Sequence, residues 1–278
     1  MDIKELNKCI DEIDKISDSN WIKNLEDRKL KELEFHNKDR DQANVEEVLA
    51  SDTYEKFYGN KKYYNATTRS SKYVEYWIKV NCKNKVFLDY ACGNGGNAIK
   101  ASMFGAKLAL GLDISEVSVL NAKNVAKNER LTNVRFFQAD AENTKLPDNS
   151  IDVIICSGML HHLDLSFALP ELRRIMKPGG KILAIEALDY NPFIKLYRML
   201  TPEMRTDWEK AHILSFKDIN FASRFFKVKN IKYWHVVGYI GGKFPILIPL
   251  LDGLDKILEK VFLIQRLSWI FTFELIKE

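Results

Sequence analysis

Residues 86–97 read Val-Phe-Leu-Asp-Tyr-Ala-Cys-Gly-Asn-Gly-Gly-Asn, and residues 111–113 read Gly-Leu-Asp. The apolar residues that end in Asp89 predict a buried strand, and the glycines that follow predict a tight turn into a helix. A second apolar run, over 108–112, ends in another carboxylate, that of Asp113. This order is typical of the nucleotide-binding half of a doubly wound α/β sheet, in which the second carboxylate accepts hydrogen bonds from ribose hydroxyls.

Two cofactors are compatible with this pattern. Gly93, Gly95 and Ala98 satisfy the relaxed dinucleotide fingerprint, so NAD remains an alternative. Asp89 distinguishes the two, because Asp-Tyr-Ala-Cys-Gly-Asn-Gly over residues 89–95 resembles the first motif, D-x-G-C-G-x-G, of class I S-adenosylmethionine-dependent methyltransferases. The sequence departs from that motif at Ala91, where the family usually has glycine. The resemblance implies that cofactor binding involves Asp89, Ala91, Gly93 and Gly95.

Three further motifs follow in the order and spacing of that family. Residues 112–115 resemble its ribose-binding strand end, residues 136–141 resemble its third motif, whose acid reaches the adenine amino group, and residues 176–183 resemble its turn into the fifth strand. The resemblance covers residues 84 to 187 and is closest to the ubiquinone/menaquinone-biosynthesis-type methyltransferase domain. It implies S-adenosylmethionine as cofactor and adds to the candidate binding residues Asp113, Ile114, Asp140, Ala141 and Ser157.

The resemblance implies a seven-stranded, mostly parallel, Rossmann-like sheet with a helical cap. Helical spacing of apolar residues predicts an N-terminal helical cap over 1–80, followed by the cofactor-binding core over 81–187. The remainder, 188–278, would complete the sheet with an antiparallel strand pair and contribute cap insertions. One aromatic residue of the N-terminal cap, Tyr64, is a weaker candidate for contact with the cofactor, because an aromatic face attracts a sulfonium group.

Composition and charge indicate which partners, metal sites and cellular locations to expect. The 278 residues carry a net charge of +4 without a basic stripe, so nucleic acid is not an expected partner. Four cysteines show no ligand-like spacing, which predicts neither a disulfide framework nor a metal site. The charged N-terminus does not resemble a signal peptide, and no apolar run approaches the ~20 residues of a membrane span, so a cytoplasmic location is expected.

Three residues are candidates for catalysis next to the molecule that accepts the methyl group. Methyl transfer to a hydroxyl group requires a general base near the cofactor, and His161 follows the fourth predicted strand, whose end faces the crevice of the sheet. Glu186 ends the fifth strand, and His212 lies in a later insertion. His161 could equally be a structural residue. The sequence over 156–159 is Cys-Ser-Gly-Met rather than the D/N-P-P-Y/F motif of nucleobase and amide methyltransferases, which disfavours those acceptors.

The C-terminal part contains two strongly apolar stretches, 244–251 and 257–273. At helical spacing, the apolar residues between Leu254 and Phe262 share one face, and Asp255, Lys256, Glu259 and Lys260 lie opposite. Because these charges balance, we expect the apolar face to be buried against the fold, and peripheral membrane contact is the less favoured alternative. An apolar cap would suit a lipid-linked acceptor.

The sequence therefore predicts an S-adenosylmethionine-dependent methyltransferase that acts on a small-molecule or lipid-linked acceptor, preferably at a hydroxyl oxygen. C-methylation of a quinone or lipid precursor is the nearest alternative. An NAD-dependent oxidoreductase and a non-catalytic scaffold or membrane-peripheral protein are the alternatives from other classes.

Overall fold

The structure, a computed structural model, describes residues 2–16, 18–41 and 61–278. The strands are β1 (Val86–Tyr90), β2 (Leu108–Asp113), β3 (Val134–Gln138), β4 (Ile151–Ser157), β5 (Met176–Ala187), β6 (Lys227–Trp234) and β7 (Ile270–Ile276). The α-helices, numbered over the described residues, are α1 (Ile3–Ile13), α2 (Asp18–Lys23), α3 (Asp27–Arg40), α4 (Lys61–Tyr64), α5 (Thr68–Asn81), α6 (Gly96–Met103), α7 (Glu116–Asn128), α8 (Leu165–Ile175), α9 (Pro192–Leu200), α10 (Asp207–Ala211), α11 (Phe216–Ala222) and α12 (Ile248–Leu258). Short 3₁₀ turns occur at Leu160–His162, Pro202–Met204, Gly238–Gly242, Pro245–Leu247 and Ile264–Leu267.

All seven strands form one sheet in the order β3-β2-β1-β4-β5-β7-β6. The strands from β3 to β5 are parallel, whereas β7 runs antiparallel to both of its neighbours. The predicted Rossmann-like sheet, including its terminal antiparallel pair, is confirmed. In such a sheet the crevice for a ligand lies at the carboxyl ends of the strands beside β1, where the strand order reverses.

Apolar residues cover both faces of the sheet, as parallel strands require. The side chains of β1 alternate between a cluster that includes Leu88 and Tyr90 and a second cluster on the opposite face that includes Phe87. Ser115 followed by Glu116 is typical of a helix N-cap, and in the structure its side chain accepts a hydrogen bond from the backbone N–H of Ser118 and so begins α7. The predicted boundaries at residues 80 and 187 remain predictions, and residues 42–60 of the expected N-terminal cap lie outside the described residues.

Most of the apolar residues that precede β7 lie outside the core. In α12, Leu251 and Asp255 are buried, whereas Leu254 and Ile257 are exposed, and so are Val261 and Phe262 just after the helix. The expectation that this apolar face packs against the fold is therefore wrong. The carboxylates of Asp255 and of the C-cap residue Glu259 face the protein instead. Asp255 accepts hydrogen bonds from the backbone N–H groups of residues 237 and 238, and Glu259 accepts one from that of residue 235.

Within the described part of the chain, no helix has the length and apolar character needed to cross a membrane.

Candidate functional site

The turn after β1 is held by the carboxylates at the ends of two strands. Asp89 is buried and accepts hydrogen bonds from the backbone N–H groups of Asn97 (3.2 Å) and Ala98 (3.1 Å), at the start of α6. Asp113 accepts from the backbone N–H of Gly93 (2.7 Å) through Oδ2 and from that of Ser115 (2.9 Å) through Oδ1. The glycine turn is thereby fixed between β1 and β2.

The position of Asp89 bears on which cofactor fits. A dinucleotide places its pyrophosphate at the N-terminus of the first helix, where free backbone N–H groups attract the anion. Here the N–H groups of Asn97 and Ala98 already donate to a carboxylate, which would repel a phosphate. Burial raises the pKa of Asp89 to about 7 against the effect of these hydrogen bonds. This end of the sheet suits a cofactor without a pyrophosphate.

Gly95 and Gly111 contact the same aromatic ring. A Cβ atom at Gly95 would lie 2.6 Å from the ring of Phe136, and one at Gly111 would lie 2.5 Å from it. Gly95 also has a φ of +80°, a conformation that favours glycine. Gly95 does not line either of the cavities described below, so its role is to let the turn pack against β3.

Helix α3 covers the cofactor side of the crevice. Between this helix and the strand ends lies a cavity of about 110 Å³. Lys29 donates to Asp140 (2.7 Å), the predicted adenine-binding acid, and Arg28 forms two hydrogen bonds to Glu142 (2.6 and 2.8 Å). The free volume is below the ~300 Å³ of a small-ligand pocket. A cofactor held wholly within this cavity would therefore require side chains of α3 to move.

Several cavity-lining residues fit S-adenosylmethionine. Its ribose hydroxyls can be met by Asp113 and its adenine amino group by Asp140, both carboxylates that line the cavity. Beside Gly93, the Arg40 guanidinium lies 3.6 Å from the position of a Cβ atom, and its buried Nε has an ion-pair contact with Asp39 (3.4 Å) but no hydrogen-bond partner among the described residues. A guanidinium in that position suits a carboxylate such as that of the methionine moiety.

A second cavity of about 1200 Å³ adjoins the first. Among its aromatic lining residues are Tyr63, Tyr64, Phe193, Tyr197 and Trp269. The residues that line both cavities are His36, Arg40, Ser157, Gly158 and His162. We call this set the seam. It marks where a cofactor in the smaller cavity would meet an acceptor in the larger one.

His161 and Glu186 form a hydrogen-bonded pair in the wall of the larger cavity. The Nδ1 atom of His161 lies 2.7 Å from Oε2 of Glu186. The other carboxylate oxygen, Oε1, accepts from the backbone N–H groups of Met159 (2.9 Å) and Leu160 (2.8 Å). With a proton on Nδ1 directed at Glu186, the Nε2 atom of His161 is the acceptor nitrogen of the neutral ring.

Two further glutamates surround the histidines. Glu32 is buried, yet hydrogen bonds from His162 and His36 hold the pKa of its carboxyl well below the usual range. Glu209 lies 3.9 Å from Nε2 of His161, and burial raises its pKa. Burial and the adjacent His161 lower the pKa of His162. The site thus combines carboxyl groups with oppositely shifted pKa values.

This cluster also has the donor atoms for a metal ion. The donor atoms of Glu32, His36 and His162 lie within 4.8 Å of one another, and so do those of His161, His162 and Glu209. Imidazole and carboxylate are ligands that zinc and iron accept. The cysteine spacing predicts no metal site, whereas these ligands are histidines and glutamates from α3, α10 and the turn after β4.

The structure places the predicted site residues in different parts of the site. Ala91, Asp113, Ile114, Asp140, Ala141 and Ser157 line the smaller cavity with Gly93, while Asp89 and Gly95 lie behind its wall. Tyr64 lines the larger cavity instead, with its ring 5.3 Å from that of Trp269. His212 lines neither cavity; it is exposed and stacks on Trp208, 3.7 Å between ring centroids.

Sequence reasoning missed four residues at or beside the seam: Glu32, His36, Arg40 and Glu209. All four belong to helices outside the family motifs. The one available signal was the spacing of Glu32, His36 and Arg40 at intervals of four, which places them on one face of a helix.

Comparison with known proteins agrees with the geometry. Residues 88–184 match the family described as "Methyltransferase domain". A sterol 24-C-methyltransferase of Gibberella zeae is 32% identical over 144 residues, 48% of this chain and 38% of that protein. The 27-O-demethylrifamycin SV methyltransferase of Amycolatopsis mediterranei is 32% identical over 42% of this chain and 43% of its own. The ubiquinone/menaquinone biosynthesis C-methyltransferase UbiE of Rickettsia akari is 38% identical over 37% of this chain and 44% of its own.

The chain thus spans less than half the length of these curated relatives. Among solved structures, the YcgJ protein of Bacillus subtilis superposes with a TM-score of 0.51 at 19% identity, covering 75% of this chain and 99% of that one. This likeness concerns the fold. None of these proteins supports the alternative of an NAD-dependent oxidoreductase.

Proposed function

We propose that this chain, whose residues 88–184 belong to the methyltransferase domain family, transfers a methyl group from S-adenosylmethionine to a hydroxyl oxygen of a small-molecule acceptor. The observation that carries the proposal is the His161–Glu186 pair, which lies in the acceptor cavity beside the seam. Transfer to oxygen requires that a proton leave the hydroxyl group, and a neutral imidazole oriented by a carboxylate is suited to accept it.

Each part of the site then has a role. Asp113 and Asp140 hold the nucleoside, and Arg40 faces the amino-acid end of the cofactor. The cofactor supplies the methyl group and the leaving group, so the protein mainly aligns the reactants and excludes water. Nε2 of His161 accepts the proton, and Glu186 fixes the ring so that this nitrogen faces the cavity. Glu209 approaches the same nitrogen and could take part in removing the proton.

C-methylation is the second candidate. The relatives named for sterol and ubiquinone/menaquinone substrates are C-methyltransferases, and the larger cavity has an aromatic lining that suits an apolar ring. The same base could then deprotonate a phenol to activate an adjacent carbon. The two candidates differ in the atom that carries the new methyl group.

The cofactor is tested by calorimetry with S-adenosylhomocysteine and then with NAD. We expect micromolar binding of S-adenosylhomocysteine, weakened at least tenfold in Asp113→Ala, and no binding of NAD. Asp148→Ala removes an exposed carboxylate that is outside both cavities and should bind like the wild type. Binding of NAD alone would refute the proposal.

The base is tested by release of S-adenosylhomocysteine with a panel of phenols and aliphatic alcohols. His161→Gln should lower turnover by about 10²-fold or more while the Kd for S-adenosylhomocysteine changes less than threefold. His212→Gln is the matched control, because this histidine lies outside both cavities, and it should keep wild-type turnover. Product analysis by mass spectrometry and NMR then separates a methyl ether from a C-methyl product. Undiminished O-methylation by His161→Gln would exclude His161 as the base.

A further inference from the structure

The segment between β6 and β7, together with α9, carries many apolar side chains on its surface. Ile246 is 90% exposed and Phe262 71%, and Phe193 and Met199 of α9 are 71% and 76% exposed. Other exposed apolar residues of the same two segments are Leu196, Leu200, Phe244, Leu247, Leu250, Leu254, Ile257, Val261, Leu263 and Leu267. We call these side chains the apolar face. Scattered apolar residues are ordinary on a surface, but a concentration of this kind indicates a binding surface.

Helix α12 is amphipathic, but its apolar side faces solvent, whereas a helix that packs on a core turns its apolar side inward. Asp255 of the helix is fully buried, and Glu259, its C-cap, accepts two hydrogen bonds from Arg69, both 2.7 Å. Leu250, Leu254 and Ile257 are exposed, Ile248 and Leu258 are half-buried, and Leu251 is buried. The helix thus directs the carboxylate of Asp255 into the protein while three apolar side chains face solvent.

The charges at the edge of the apolar face are mainly basic. Lys243, Lys256, Lys260 and Arg266 are exposed, and none of them forms an ion pair with a described residue. From the sequence, the acids of this segment balance its lysines. In the folded chain Asp255 and Glu259 point inward, and the half-exposed Asp252 is the acid that remains near the surface. Apolar side chains bordered by lysines complement a bilayer with anionic headgroups.

The larger cavity reaches the surface at this face. Phe193 belongs to the apolar face and also lines the cavity, as does the exposed Lys243. The two segments are joined there, because Asn191 at the start of α9 donates to the carbonyl of Leu267 (2.7 Å). Leu263 also has a φ of +75°, unusual for leucine, in the exposed turn after α12. Strained conformations of this kind cluster at functional surfaces.

We propose that the chain docks peripherally on an anionic lipid bilayer through the apolar face, with the mouth of the larger cavity toward the lipid. Apolar side chains would enter the headgroup region, and the four cations would contact lipid phosphates. Docking in this orientation would let a membrane-dissolved acceptor reach the cavity without crossing water. The proposal goes beyond the proposed methyl transfer, and binding to vesicles can be measured without cofactor or acceptor.

The test is co-sedimentation of the full chain with vesicles of phosphatidylcholine alone and with about 30% phosphatidylglycerol. We expect preferential binding to the anionic vesicles that weakens as salt is raised. Lys256→Glu/Lys260→Glu should weaken that binding at least tenfold, since each cation near an anionic surface accounts for about fivefold. Ile246→Ser/Phe262→Ser should weaken binding to both kinds of vesicle.

Matched controls lie on α7, where Leu120 and Lys127 are exposed. Leu120→Ser and Lys127→Glu should bind vesicles like the wild type, and circular dichroism shows that every variant is folded. Wild-type protein that stays in solution at low salt would overturn the proposal. So would sedimentation velocity showing a dimer that Ile246→Ser/Phe262→Ser dissociates, because the face would then be covered by a second copy.

Discussion

Asp89 and Asp113 end adjacent parallel strands, yet their carboxylates have different functions. Asp113 lines the smaller cavity, whereas Asp89 is 1% exposed and accepts from the first amides of α6. Burial and the neighbouring charge of Asp113 both raise the pKa of Asp89. A buried carboxylate in this position makes the stability of the protein depend on pH.

We expect the unliganded protein to lose stability as the pH rises from about 4 to 7. Between the ordinary value of 3.8 and the raised value of about 7, the folded chain binds one more proton at Asp89 than the unfolded chain does. Stability from this group is therefore fully present below pH 3.8 and is lost as the pH rises through 7, with a slope of up to about 1.4 kcal/mol per pH unit. Urea unfolding at several pH values measures the slope.

Asp89→Asn provides the comparison, because an amide oxygen can accept the same hydrogen bonds without titrating. Its free energy of unfolding should vary less with pH over this window than that of the wild type. Equal slopes in the two proteins would assign the pH dependence to other groups.

At the scale of elements, helix α3 has the largest effect on the cofactor side. Its side chains line the smaller cavity, and its first turn is fastened by Arg28, which donates to Glu142 and to the carbonyl of His162 (3.1 Å). Lys29 occupies one oxygen of Asp140. A helix that both covers the cavity and binds its acids would control the exchange of cofactor.

Removal of Arg28 should therefore change rates more than affinity. In Arg28→Ala, we expect S-adenosylhomocysteine to associate and dissociate about tenfold faster in stopped-flow fluorescence, because hydrogen bonds between charged groups that hold the helix, each about 1.5–3 kcal/mol, are lost. Arg174→Ala removes a comparable pair of ion pairs on α8, away from both cavities, and should exchange the ligand at the wild-type rate. Unchanged exchange in Arg28→Ala would mean that α3 does not limit access.

The elements also show how far sequence reasoning reaches. The strand tips at Asp89 and Asp113 and the cap at Ser115 follow from local patterns, and the structure has them where the patterns predict. The orientation of α12 could not be predicted from its periodicity, because an apolar stripe does not indicate whether it faces the core or the solvent. That choice was decided by contacts of Asp255 and Glu259 with distant residues.

The candidate site, too, could be predicted from the sequence only in part. Local motifs predict Asp113 and Asp140 beside the cofactor, and they place His161 and Glu186 near the ends of the fourth and fifth strands, where the structure has them paired. Glu32 and His36 reach the seam through the docking of α3, which depends on pairs such as Lys29–Asp140 that are 111 residues apart. No local pattern encodes such contacts.

At the scale of the whole molecule, two cavities meet at the seam, one on the cofactor side and one on the acceptor side. The smaller one should admit S-adenosylhomocysteine and not NAD, because the helix amides that would bind a pyrophosphate donate to Asp89. The stability of the entire fold reports which ligand it binds.

S-adenosylhomocysteine at a concentration 100 times its Kd should stabilise the protein by about 2.7 kcal/mol. For a chain of this size the midpoint of thermal unfolding should rise by roughly 5 °C, measured by calorimetry or dye fluorescence. NAD at the same concentration should leave the midpoint unchanged. A comparable shift with NAD would contradict the assignment of the cofactor.

The segment that carries α12 is inserted between two paired strands. Trp234 and Ile270 are directly opposite in the sheet, so residues 235–269 leave and re-enter it at neighbouring points. The free-energy cost of closing such a loop grows slowly, by about 0.6 kcal/mol for each doubling of its length. Descendants of this chain could therefore exchange the whole segment for a longer, shorter or more polar one while the sheet and the cofactor turn stay intact. Divergence toward new acceptors would then proceed by replacement of one module rather than by redesign of the catalytic core.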